Sequence, residues 1–203
     1  MTPSILKVKN YCEDIANRLK TEVISYKFRF GAIFYRDPID TKNNVFPDIN
    51  EYFELTQNII VLKIAMKQIQ ASGGGDIPED WVGGYDLALH KMIWKGENKL
   101  IIHITDAGAH GNEYSFGDKY PKEGLKLDNL IRECARKNIS IVSFQIFDEV
   151  NGKYRANQSF ERVKNIYINS GKGKNYRNQA FDQNNNDPKY FIDLVVNSIS
   201  KVT

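Results

Sequence analysis

Lys99-Leu100-Ile101-Ile102-His103-Ile104-Thr105-Asp106-Ala107-Gly108-Ala109-His110-Gly111 is an apolar run that stops on a carboxylate and then turns through small residues. Leu100, Ile101, Ile102 and Ile104 show no in/out alternation, the pattern of a strand covered on both faces by helices. A central strand over 99–105 is therefore expected. In open parallel sheets ligands bind outside the carboxyl ends of the strands, which puts Asp106 where chemistry would be. Gly108 and its small neighbours let backbone come close to a ligand. His110 lies just beyond.

The flanking chain supplies the rest of such a sheet. Residues 27–36 read as a strand with Phe28, Phe30, Ala32 and Phe34 on one face and Ile33 and Tyr35 on the other, and 139–147 as a third strong strand. A short edge strand is expected over 51–55 and a last strand over 174–181. Helices are expected over 3–21, 57–71, 78–93, 122–137, 158–169 and 188–202. The first has Thr2 as cap, Pro3 at the first helical position, and Ile5, Val8, Cys12, Ile15 and Leu19 on one face. Asp76 and Glu79 have the spacing of a capping box for the helix over 78–93, and Gly83-Gly84 inside it imply close packing against the sheet. The polar stretches 37–48 and 182–187 read as loops. Strands alternating with helices predict one α/β domain over 1–203, with a doubly wound, mostly parallel, Rossmann-like sheet covered on both faces.

Composition agrees with a globular domain: 203 residues, 41% hydrophobic and 26% charged. A formal net charge of +3 is too small to imply nucleic acid or a membrane surface as partner, and Lys172, Lys174 and Arg177 read as a solvated loop. Cys12 and Cys134 each fall on a helical apolar stripe, so no disulfide is expected. With neither a secretory signal nor an apolar run approaching the ~20 residues of a membrane span, a cytoplasmic location is expected.

Three motifs occur in order: Tyr35-Arg36-Asp37, then Gly73-Gly74-Gly75-Asp76-Ile77-Pro78-Glu79-Asp80, then Ile104-Thr105-Asp106 with His110-Gly111. In them the chain resembles the von Willebrand factor A domains, particularly the branch found with alpha-type protein kinases. The resemblance implies a metal-ion-dependent adhesion site holding Mg²⁺ over the strand ends. Asp106 would be the ligand after the fourth strand, and Asp76 or its neighbours the ligand in the glycine loop. Asp37, Gly75, Gly108 and His110 would face a protein partner. It further implies an Asp-x-Ser/Thr-x-Ser loop after a first strand that lies between the strands 27–36 and 99–105. No such loop occurs in this sequence. The expectation is thus a domain truncated at its N-terminus, with a gap or a direct pairing where that strand would lie, and with Mg²⁺ bound no better than millimolar. The function implied is non-enzymatic protein binding. The alternative is a regulatory part of an alpha-type serine/threonine kinase whose catalytic domain is elsewhere.

Plainer roles compete with each assignment. Asp106 reads equally as a metal ligand or as a polar cap on the turn after a buried strand, and Asp76 reads more readily as a helix cap than as a ligand. His103 reads as a packed core histidine, and strand alternation argues against a zinc site from His103, Asp106 and His110. The triple glycine is not followed by Gly-Lys-Ser/Thr and is no phosphate loop. A hydrolase built on Asp106 and His110 lacks a presented nucleophile, Ser115 having no elbow to hold it, and no kinase catalytic motif is present.

Overall fold

A computed structural model describes residues 2–22, 27–38, 50–70, 76, 78–146, 156–172, 175–182, 185 and 187–200. The elements in chain order are α1 (Thr2–Glu22), β1 (Phe30–Tyr35), β2 (Asn50–Thr56), α2 (Ile59–Met66), α3 (Trp81–His90), β3 (Lys99–Thr105), α4 (Glu123–Arg136), β4 (Ile139–Ile146), α5 (Asn157–Tyr167), β5 (Tyr176–Phe181) and α6 (Pro188–Ser200). A π-helical turn, Ile168–Lys172, follows α5 and ends around Gly171, whose φ is 86°.

β3, β4 and β5 form a parallel sheet in that order. β4 is its middle strand and is buried at every position. Its odd residues Ile139 and Ile141 pack with Leu127 and Ile131 of α4 and Phe160 of α5. Its even residues Val142, Phe144 and Ile146 pack on the other face with Leu19 of α1 and Phe191 and Val196 of α6. Period-two alternation puts successive side chains on opposite faces, so a strand with apolar residues at nearly every position needs helices on both. β3 has the same composition but is half-buried over most of its length, because only one of its edges is paired. The central position expected for 99–105 belongs to β4.

The expected single sheet is divided. β1 pairs antiparallel with β2 in a separate two-stranded sheet, with a register shift between Phe30 and Ala32. This ribbon packs on Ala16 of α1 and on Ile59, Leu62 and Met66 of α2. No ladder joins β1 to β3 among the described residues. Instead a cavity of about 910 Å³ is lined by Phe30 and Ala32 of β1, Leu100 and Ile102 of β3, and apolar side chains of α1 and α3. Among the described residues β1 and β3 are thus separated by a gap and not paired directly.

Helix ends follow local chemistry. Asn58 caps α2, accepting from Ile60 N and Val61 N. α3 starts at Trp81 rather than near 78, because the cap is Asp80, whose carboxylate accepts from Gly83 N at 2.8 Å and from Asn50 Nδ2 at 2.8 Å. Gly83 and Gly84 do pack closely: a Cβ at 83 would meet Asp80 and Asn50, and one at 84 would lie 3.0 Å from the Tyr35 ring. Cys12 and Cys134 are free thiols in different apolar clusters. Among the described residues no helix is long and apolar enough to cross a membrane.

Candidate metal centre

Three separate stretches meet at the carboxyl edge because Glu79 and Asp80 stitch them together. Glu79 N donates to Gly108 O at 2.9 Å, His110 N to Glu79 O at 3.4 Å, and Asp80 N to Arg36 O at 3.4 Å. The segment after β1, the segment before α3 and the loop after β3 are thereby held side by side. Asp76 N adds a bond to Asp37 Oδ2 at 3.1 Å.

The result is a cluster of Asp37, Asp76 and His110, each offering one ligand atom within 4.8 Å of the others. Asp37 and His110 are buried, at 0% and 2% exposure, and Asp76 is half-buried. His110 Nε2 lies 3.9 Å from Asp37 Oδ1 and 3.9 Å from Asp76 Oδ1, beyond hydrogen-bonding distance. Among the described residues, neither His110 Nε2 nor Asp76 Oδ1 has a hydrogen-bond partner. Lys119 pairs with the other oxygen of Asp76 at 3.0 Å from an exposed position.

Behind the cluster, the buried Asp118 holds the imidazole. Its carboxylate accepts from His110 Nδ1 at 2.9 Å, from Gly111 N at 2.9 Å and from Tyr120 N at 2.7 Å. A carboxylate only accepts, so Nδ1 carries a proton, and in the neutral imidazole Nε2 then presents its lone pair toward the two aspartates. The Tyr120 ring packs edge-on against the imidazole at 4.7 Å. Gly111, with φ of 112°, brings this loop against α4 so tightly that a Cβ there would lie 2.1 Å from Gly124 N.

The other residues singled out in the sequence have separate places. Asp106 is outside the three-residue cluster but lines, together with Asp37, the cavity between β1 and β3. Gly108 contributes its carbonyl to Glu79. Gly75 is outside the described residues. Both ring nitrogens of His103 face hydroxyls, Tyr35 at 2.6 Å and Tyr85 at 3.2 Å, and Trp81 and Phe160 pack its ring. Burial pushes its pKa down to about 3, the state of a neutral core histidine. Asp118 was not singled out. Its one signal is the turn-forming Ser115-Phe116-Gly117-Asp118, an aspartate placed to bond backbone two residues on.

The donor set departs from an adhesion-type magnesium site. Mg²⁺ takes an octahedral shell of oxygens, and one of the three donors here is a buried imidazole nitrogen. Among the described residues, the three donors gathered here do not fit the all-oxygen group that the resemblance implied.

No family model matches the chain. It is similar to a protein named alpha-protein kinase vwkA, from Dictyostelium discoideum, with 33% identity over 145 residues. The match takes in 69% of this chain but spans only 22% of that protein's length, so the chain is similar to part of a much longer, kinase-named polypeptide.

Proposed function

We propose that the chain is a protein-interaction module of the von Willebrand factor A type, acting by binding and not by catalysis, and that its docking face is the carboxyl edge around Asp37, Asp76 and His110. The observation that carries this reading is the convergence of three distant stretches into one cluster at that edge, held by Glu79 and Asp118. Ligand-binding residues concentrate on loops that a rigid scaffold positions, and this edge has that construction. Beside it, Phe116 stands fully exposed two residues before Asp118, the kind of aromatic anchor that carries interface energy. Similarity to vwkA favours a second, compatible reading, in which the module is a regulatory part of an alpha-type serine/threonine kinase whose catalytic domain is elsewhere.

The test uses wild type, Phe116→Ser and Asp76→Asn as parallel baits in an extract of the source cells. Both changes are at residues outside the fully buried core, so melting curves should coincide within a few degrees. At least one partner retained by wild type and lost from both variants is expected. Identical partner sets for all three folded baits would refute the docking face.

A further inference from the structure

We propose that Asp37, Asp76 and His110 form a binding site for a borderline divalent cation of the zinc class, with Asp118 as the positioning residue behind the histidine. The inference deepens the reading of the carboxyl edge as the functional face, and it names the ligand that edge takes.

Three lone-pair donors face one another across the cluster. At 3.9 Å His110 Nε2 is too distant to bond either Asp37 or Asp76, and in the neutral imidazole, whose proton Nδ1 holds against Asp118, Nε2 is an acceptor. Such an arrangement leaves the imidazole nitrogen and Asp76 Oδ1 unsatisfied and enclosed, which costs stability unless a positive charge sits among them. A divalent cation would balance the two carboxylates charge for charge. Ligand atoms of a tetrahedral zinc site with bonds of about 2.0–2.1 Å stand ~3.3 Å apart, so a modest inward closure of the cluster seats the ion.

Donor chemistry selects the cation. Imidazole suits Zn²⁺ and its first-row neighbours, whereas Mg²⁺ and Ca²⁺ favour oxygen alone. A histidine whose second nitrogen donates to a carboxylate is the usual support of such a site, fixing the tautomer and raising ligand basicity. Here that support is complete, since Asp118 is itself held by two backbone N–H groups. Three protein ligands leave a fourth position open to solvent or to a donor from a partner. Lys119 competes for Asp76 only from solvent and can turn away.

The test is calorimetric titration of the whole chain with Zn²⁺ alone and with Mg²⁺ alone, cross-checked by competition with a chromophoric zinc chelator. His90 is exposed between Asp86 and Glu133 and could collect zinc adventitiously, so the titrations are repeated in His90→Ala. One Zn²⁺ per chain is expected in both backgrounds, with Mg²⁺ at least 100-fold weaker. His110→Gln should abolish the zinc site, and Asp118→Asn should weaken zinc by roughly 10–100-fold while leaving the melting temperature within a few degrees. Zinc uptake that disappears with His90 overturns the inference. So does Mg²⁺ binding as tight as Zn²⁺ and indifferent to His110→Gln, an outcome that leaves the docking face standing. If folded wild type binds neither cation, the inference also falls, and the Phe116→Ser comparison still decides the docking face independently.

Discussion

His103 joins the two halves of the fold, since it stands on β3 and meets Tyr35 of β1 and Tyr85 of α3. Its depressed pKa makes a pH prediction with a definite sign. The unfolded chain takes up a proton near the usual histidine value of about 6.5, and the folded chain only near 3. Between those values the unfolded state binds more protons, so stability is fully present above pH 6.5 and falls as pH drops toward 3, by ~1.4 kcal/mol per pH unit at most. Urea melts from pH 7 to pH 4 should show this slope in wild type and a slope about one proton shallower in His103→Gln. Equal slopes would show that His103 is not held neutral. At the same scale, the roles of single carboxylates were only partly legible in the sequence. Asp76 has a capping-box spacing, but Asp80 caps α3, because Asn50 and Gly83 both reach its oxygens. The buried Asp128, which accepts from Tyr114 and Arg162, gave no signal, since its partners lie 14 and 34 residues away.

Among the elements, helices and strands were legible wherever an apolar period ran long enough, as in α1, α4 and β4. The pairing of strands was not, because a hydrophobic period records which faces are buried and is silent on which edges meet. Thus 99–105 and 139–147 read alike, yet among the described residues β4 is paired on both edges and β3 on one. The gap beside β3 leaves two strand edges facing a cavity, and among the described residues backbone groups there have no ladder partners of the kind buried groups normally have. In α1, Lys7 bonds Asn185 O, beyond the carboxyl end of β5, and Lys9 bonds Ile69 O at 2.9 Å, so the first turns of the helix lie toward the carboxyl edge. A strand running parallel to β3 could therefore lead directly into α1. An added N-terminal extension of seven valine- and isoleucine-rich residues should enter the gap and raise the melting temperature by at least ~5 °C. The same extension with two internal prolines, which cannot complete a ladder, should not. Equal melts for the two extended chains would show that the gap does not accept a strand.

At the scale of the molecule, the fold delivers to one edge residues that are 39 and 34 positions apart in sequence, Asp37 to Asp76 and Asp76 to His110. All three are in the motifs that carry the resemblance, so the convergence of these stretches was legible. The resemblance implied Asp106 and an oxygen shell, whereas the proposed zinc site rests on Asp37 and an imidazole oriented by Asp118. The most direct measurement is X-ray diffraction from crystals of the chain equilibrated with Zn²⁺, recorded on both sides of the zinc absorption edge. The account predicts an anomalous peak bonded to His110 Nε2 and to carboxylate oxygens of Asp37 and Asp76, absent from crystals of His110→Gln. A peak bonded to Asp106 without His110, or no peak at the cluster at a saturating concentration, would contradict it.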